Sequence, residues 1–377
     1  MDRQQEILYT LTLSLIPQVG NVTFEQLVNL FKSPKNVLDA TKGDFKAHKC
    51  NTLIINNILN NKDQALATAE KELNFIEKNN IQAILKTDSD YPYRLQQCHG
   101  APNILFGLGN FNSNQKHSIA IVGTRRCTDY GKKMVEKIVG ELSESISNLQ
   151  IISGLASGID TYAHQAAVNN NVETIGILGN GLNRIYPAAN KRLAQQMLEN
   201  GGLLTEYFST IADIDATNFA MRNRIIAGMS DCIVVAEAPQ RSGALITAKY
   251  GQAYDRTIFA LPGKTTDLTS EGCNYIIREN IACLVTNTTD ILKEMNWDLF
   301  SSKTQISTKT QKPAKITRNL DSIEQQIVTQ LQNKGQLNID ELCLETNINI
   351  SVLTKTLLSL EFDDILECLP GKRYQLK

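Results

Sequence analysis

The sequence predicts an α/β protein: a Rossmann-like parallel sheet core, a small N-terminal helical domain before it and a C-terminal winged-helix domain after it. Three observations carry this. From residue 80 to about 299, apolar runs of strand length alternate with helical patterns, the order that gives a parallel sheet covered by helices on both faces. Two apolar helical stripes joined by a Pro/Gly hairpin open the chain, and three helical patterns with a short hairpin around Pro370-Gly371 close it.

Residues 1–75 form the expected helical domain. Leu8, Leu11, Leu13 and Ile16 make one stripe, Pro17-Gln18-Val19-Gly20 the turn, and Phe24, Leu27, Val28, Leu30 and Phe31 the second stripe. A helix-hairpin-helix would offer the free N–H groups of its second helix to a DNA phosphate; a plain helical hairpin gives the same pattern. Core strands are expected at Ser118–Val122, Gln150–Ser153, Thr174–Leu178, Leu203–Tyr207, Asp231–Ala236, Arg256–Leu261 and Ala282–Val285. Tyr91-Pro92 and Pro102–Gly107 read as a lead-in strand or arm. Residues 300–317 are rich in Ser, Thr, Lys and Gln, with four lysines and no acid, the composition of a flexible linker. The winged helix follows over 318–377.

Bulk properties narrow the function. The net charge of -1 supplies no global field toward nucleic acid, so any such site must be a local patch built by folding. The eight cysteines form no C-x-x-C pair, and the four histidines are widely dispersed, so neither a disulfide framework nor a metal site is expected. The first residues lack the basic-then-apolar order of a signal peptide, and no apolar run approaches membrane-spanning length. A cytoplasmic protein is expected.

The chemistry lies in the loops that leave the strands. After the first core strand comes Gly123-Thr124-Arg125-Arg126; after the second, Gly154-Leu155-Ala156-Ser157-Gly158; after the third, Gly179-Asn180-Gly181 through Tyr186-Pro187 to a helix holding Lys191 and Arg192. Later come Glu237-Ala238-Pro239-Gln240-Arg241-Ser242-Gly243 and Pro262-Gly263-Lys264. In a parallel sheet these loops share the carboxyl edge, where open α/β folds bind ligands. Glycines let backbone N–H groups approach a phosphate, and helix starts add partial positive charge. Arg125 adds a planar fork. Arg222-Asn223-Arg224, on an expected helix over Phe219–Met229, adds two guanidiniums to that rim. Five such loops at one edge point to phosphate binding. No G-x-x-x-x-G-K-[ST] occurs, and no G-x-G-x-x-G follows the first strand, which disfavours a P-loop ATPase and a dinucleotide coenzyme.

Several motifs together resemble the DNA-processing (DprA/Smf) family in order and spacing. They are Ile121-Val122-Gly123-Thr124-Arg125, Ser153 through Asp160, Gly181 to Tyr186-Pro187 and Asn190, Arg222 through Gly228, Ser242 through Ala248, and Ala260 through Gly263 to Gly272-Cys273-Asn274. The resemblance implies a protein, not an enzyme, that binds and protects single-stranded DNA taken up in natural transformation. It implies loading of a RecA-type recombinase onto that strand, and a homodimer formed through the Rossmann-like domain. It implies no cofactor. Its DNA pocket corresponds to Gly123, Arg125, the Ser153–Gly158 loop, the Asn190-Lys191 region, Arg222 and Arg224. With the loop residues Arg126, Asn223, Arg241 and Gly243, these form the expected DNA-binding set.

Two other classes compete. Glu206 and Glu237 at strand ends invite a glycosidic-bond hydrolase of the Lonely Guy type. That family's Gly-Gly-x-Gly-Thr-x-x-Glu loop has its counterpart in Ser242 through Ala248, which offers no final glutamate. Asp160 and His164, four apart on a helix, fit a local contact better than an acid–base couple. An interaction scaffold is the other class. Residues 318–377 carry six basic and nine acidic side chains, and the recognition helix, about Ser351–Glu361, has only Lys355. Duplex reading by the winged helix is therefore not expected.

Overall fold

Alternation along β3 (His117–Val122) sets up the two faces of the core. Ile119 and Ile121 point to one side, Ala120 and Val122 to the other, and all four are buried. The first side packs under Asp129–Ser145 and Ile159–Asn169 through Val135, Ile138, Leu142 and Ile159. The second packs under Asn223–Gly228, Gly243–Ala253 and Glu271–Arg278 through Ile225, Ala244, Ala248 and Ile276. These are the two helical layers expected of a parallel sheet. The structure is a computed structural model and describes residues 2–210, 216–297, 320–369 and 371–377. The expected linker, 300–317, lies outside the described residues.

The sheet also contains β1 (Gln82–Leu85), β2 (Ile104–Asn110), β4 (Leu149–Ser153), β5 (Glu173–Ile177), β6 (Gly201–Thr205), β7 (Cys232–Val235), β8 (Thr257–Ala260) and β9 (Cys283–Leu284). Its order is β1-β2-β6-β5-β4-β3-β7-β8-β9. Pairing is parallel from β6 to β9, while β1 and β2 add an antiparallel extension. Of the expected lead-in, 104–107 is strand, within β2, whereas Tyr91-Pro92 leads into the short helix Tyr93–Gln96. Two expectations shift. β6 starts two residues earlier than expected because Gly201 and Gly202 are strand residues. They lie where β2 crosses so closely that a Cβ on Gly202 would stand 2.5 Å from the Leu108 carbonyl. The expected helix over Phe219–Met229 is instead two short helices, Ala216–Met221 and Asn223–Gly228, with Arg222 between them.

The N-terminal helices bury Leu11, Leu13, Ile16, Phe24 and Leu27, whereas Leu30 is exposed. The helix Thr52–Lys78 carries Glu72, whose buried carboxylate accepts from Ser209 N and Thr210 N, each at 2.8 Å, so this layer is tied to the loop after β6.

The last domain holds the helices Ser322–Lys334, Ile339–Thr346 and Ile350–Phe362 and the strands β10 (Leu337–Asn338), β11 (Leu366–Leu369) and β12 (Arg373–Leu376), a winged helix. It docks on the amino edge of the large sheet. There Arg256, just before β8, forms an ion pair with Asp340, both nearly excluded from solvent. Lys372 of the wing pairs with Asp255, and the wing's Gly371 is pressed against the Met295 carbonyl. Nearby, Arg94 bonds Asp231 with two nitrogens, at 2.6 and 3.0 Å, and caps the same edge.

His164 is fully buried, with Nδ1 2.7 Å from Thr174 Oγ1 and Nε2 without a hydrogen-bond partner. Burial pulls its pKa down to about 3, and that of the buried His117 down to about 4. Both fold as neutral rings, so the unfolded chain binds more protons than the native state below pH 6.5. Their contribution to stability is complete above 6.5 and is lost as pH falls toward 3–4. Between pH 6.5 and 5, His164 alone is expected to cost about 2 kcal/mol. Urea midpoints at pH 7.5 and 5.0 check this: His164→Gln should flatten the pH dependence, and a variant as pH-sensitive as the parent would refute the assignment.

Candidate functional site

The strand order reverses at β3. The loop after β3 runs toward β4 and the loop after β7 runs toward β8, so a crevice opens between them at the carboxyl edge. A cavity of about 560 Å³ occupies it, lined by Gly123, Arg125, Arg126, Arg222, Asn223, Arg241 and Gly243 among others. Seven of the fourteen expected residues therefore converge on one cavity.

Close backbone packing accounts for two of the glycines. Gly158 has φ +81°, and a Cβ there would stand 2.3 Å from the Thr124 carbonyl. A Cβ on Gly123 would meet Ile159 at 2.5 Å. The loops after β3 and β4 are thus pressed together, with Ile159 N donating to Thr124 O at 3.2 Å and Thr124 N donating to Glu237 O at 2.7 Å. The arginine loop is held from both sides.

Arg125, Arg126 and Arg241 are exposed and form no salt bridge among the described residues. Helix Gly243–Ala253 starts at the same cavity. Its N-cap Ser242 makes no capping bond, and Ser242 Oγ is buried without a partner. The first-turn N–H groups consequently remain open to an anion. Asn223 Nδ2 donates to Gly243 O at 3.1 Å and fixes that helix start.

Other expected residues have different places. Arg222 is buried, donates to the Ile177 carbonyl, and lies where a Cβ on Gly154 would have to be. Asp160 stands near it and accepts from Gly154 N at 3.1 Å and Ala156 N at 3.3 Å. Burial lowers the Arg222 pKa and raises that of Asp160, and their mutual attraction opposes both shifts. Arg222, with Asp160 beside it on the same cavity, is therefore a fixed, charge-compensated part of the wall and not a mobile fork. Ser153 is buried, donating to Ile121 O at 2.6 Å. Asn190 is also internal: its amide bonds Leu155 O and Thr161 Oγ1, each at 2.9 Å, and holds the Gly154–Gly158 loop. Ser157 and Lys191 are exposed and do not line the cavity. Arg224 leaves this rim altogether; it pairs with Glu206 and lines a second trough. Helical positions two apart differ by about 200° around the axis, so Arg222 and Arg224 cannot share a face.

The residues that suggested catalysis are occupied. Glu237 is buried and accepts from Thr128 N at 2.8 Å and Thr128 Oγ1 at 2.6 Å. Glu206 pairs with Arg224, and His164 is sealed in the core. Among the described residues no group of three His, Cys, Asp or Glu could hold a metal ion, and no helix is long and apolar enough to cross a membrane. Phe219, Thr247 and Thr269 also line the cavity. Phe219 was legible as the start of an expected helix; the two threonines carried no signal, being single polar residues without a motif.

Comparison with known proteins gives consistent matches. A family model described as DNA recombination-mediator protein A matches residues 82–296, and one described as the DprA winged helix domain matches residues 311–372. The DNA processing protein DprA of Streptococcus pneumoniae is 41% identical over 210 residues, covering 56% of this chain and 73% of that protein. The Smf protein of Escherichia coli is 37% identical over 230 residues, 61% of this chain and 61% of its own length. The Smf protein of Synechocystis is 39% identical over 205 residues, and the match spans 51% of its length. The X-ray structure of the pneumococcal protein superposes with a TM-score of 0.61 at 32% identity, covering 78% of this chain and 97% of that one. A structure of Helicobacter pylori DNA processing protein A, concerned with its single-stranded DNA binding mode, gives a TM-score of 0.52 at 26% identity over 58% of this chain and 96% of that one.

Proposed function

Since the chain belongs to the DNA recombination-mediator protein A family, we propose that it binds single-stranded DNA through its phosphates at the carboxyl-edge cavity. The observation that carries this reading is the convergence of Arg125, Arg126 and Arg241 with the uncapped start of helix Gly243–Ala253. Exposed guanidiniums and open N–H groups suit a phosphate string, and Arg222, compensated by Asp160, fixes the wall behind them. Gly243 leaves the helix start open to close approach, Gly123 lets the arginine loop pack on Ile159, and Asn223 holds the Gly243 carbonyl. Gly154, Gly158, Ser153 and Asn190 hold the frame, with Ser157 and Lys191 flanking it. No catalytic step is assigned, because Glu206 and Glu237 serve internal bonds. The finer role is to guard the strand during DNA uptake and hand it to a RecA-type recombinase, as a homodimer. Family membership alone supports that part.

A local rim can follow one flexible backbone, whereas a duplex holds its phosphates on a stiff cylinder. Contacts to phosphate carry no base code. Competition between labelled single-stranded oligonucleotide and unlabelled competitors tests this. Single strands of any sequence should displace the probe at concentrations where duplex does not. Equal displacement by duplex would count against the cavity.

A further inference from the structure

We propose that the strand's path continues from the arginine cavity along helix Gly243–Ala253 into a neutral aromatic trough, where Tyr250 is a stacking platform for a base. This rests on the reading of the cavity as a single-strand site. The trough has a volume of about 700 Å³ and lies where three parts of the chain meet: Gly20 and Asn21 of the N-terminal hairpin, Tyr207 and Tyr250 of the core, and Ile350 of the winged helix. It is a separate space from the arginine cavity, but the two share one helix. Gly243 and Thr247 line the cavity, while Tyr250 and Tyr254 line the trough. Spacings of four, three and four put these residues on one helix face. From Gly243 to Tyr250 the rise is about 10 Å, which about three stacked nucleotides span at ~3.4 Å each.

The chemistry of the trough suits a base and not a phosphate. Its guanidinium, Arg224, is neutralised by Glu206. Tyr254 backs Tyr250 in a stacked pair, centroids 6.0 Å apart and planes 26° apart, and its OH donates to His99 O at 3.3 Å. Tyr254 is buried, so its ring is fixed; Tyr250 is half-buried and leans on the exposed Met221. A rigid ring with a firm backing costs little conformational entropy when a base stacks on it. Phosphate-binding and base-binding surfaces following one another along one helix fit a polymer that carries both groups in alternation. The N-terminal hairpin thereby borders the strand's path without supplying its charge.

The test measures binding of a labelled dT 20-mer, and of a 20-mer of abasic deoxyribose phosphate, to the full chain and its Tyr250→Ala, Tyr250→Leu and Arg125→Ala variants. Tyr250→Ala and Tyr250→Leu are expected to weaken dT binding about 5- to 100-fold, the range of one lost base–aromatic stack. Leucine fills the same space without a flat ring, which keeps the test valid if alanine unfolds the helix. Neither variant should change binding of the abasic strand, whereas Arg125→Ala should weaken both ligands. Parental dT affinity in the Tyr250 variants alongside a loss in Arg125→Ala would overturn the subsite and leave the cavity intact. Equal loss on the abasic strand would also overturn it, since a base would then play no part. If the unmodified chain bound neither ligand, both readings would fall together.

Discussion

Replacing Arg125, Arg126 and Arg241 together by glutamate is expected to abolish measurable single-strand binding, a loss of at least about 10³-fold, with an unchanged melting temperature. All three side chains are exposed and free of salt bridges among the described residues, so reversing them removes no native contact. Each lost charge-assisted bond costs on the order of 1.5 kcal/mol, near tenfold, and the new carboxylates repel phosphate as well. The milder Arg125→Ala should lower affinity about tenfold and reduce the slope of log affinity against log salt by ~0.7, the value for one phosphate on a single strand. Anisotropy titrations across a salt series read both quantities. An intact salt slope in Arg125→Ala would show that this side chain meets no phosphate.

Asp340→Ala is expected to produce the largest stability loss, about 3–5 kcal/mol, because it leaves the buried Arg256 guanidinium without its counter-charge. Arg256 is already imperfectly served: Nη2 donates to Arg94 O at 3.0 Å and Gly228 O at 3.1 Å, but Nε has no partner and neither does Asp340 Oδ1. Such a pair is costly to break and adds little over an apolar replacement. The double variant Arg256→Met with Asp340→Leu should therefore be more stable than either single variant. Urea unfolding of all four proteins measures the coupling. Single variants within ~0.5 kcal/mol of the parent would show that the docking contact is not structural. Removing the winged helix would also expose this guanidinium's surroundings, so truncation is expected to loosen the amino edge.

Legibility in the sequence tracks the range of the interactions. β3, β4 and β5 were legible because a fully buried parallel strand is a near-continuous apolar run. The cavity was legible in three of the five expected loops, those after β3, β4 and β7, because parallel strands force the loops leaving them to one edge; the loop after β5 and Pro262-Gly263-Lys264 after β8 do not line it. The separation of Arg222 from Arg224 was implicit in the expected helix, where positions two apart face about 200° from each other, and the sequence reading placed both on one rim in spite of it. Gly201 and Gly202 fell outside the expected strand, since nothing local reveals that β2 passes so closely. The Arg256–Asp340 pair joins positions 84 residues apart, and each alone looks like an ordinary surface charge. The roles of Asn190 and Glu237 as internal braces were equally invisible, because both sit in loops rich in residues suited to binding.

Docking of the winged helix at the opposite end of the strands from the arginines also decides how the molecule can be handled at a bench. Cys368 is exposed on β11, and Cys283 is the other exposed thiol among the described residues. With Cys283 and the half-buried Cys50 and Cys127 replaced by serine, a maleimide linker on Cys368 would tether the protein to glass by its wing. The arginine rim would then face the solution about six strand residues away, ~20 Å at 3.3 Å each. Optical-trap or surface-plasmon experiments could then pull on or flow in a strand with the arginine rim unobstructed.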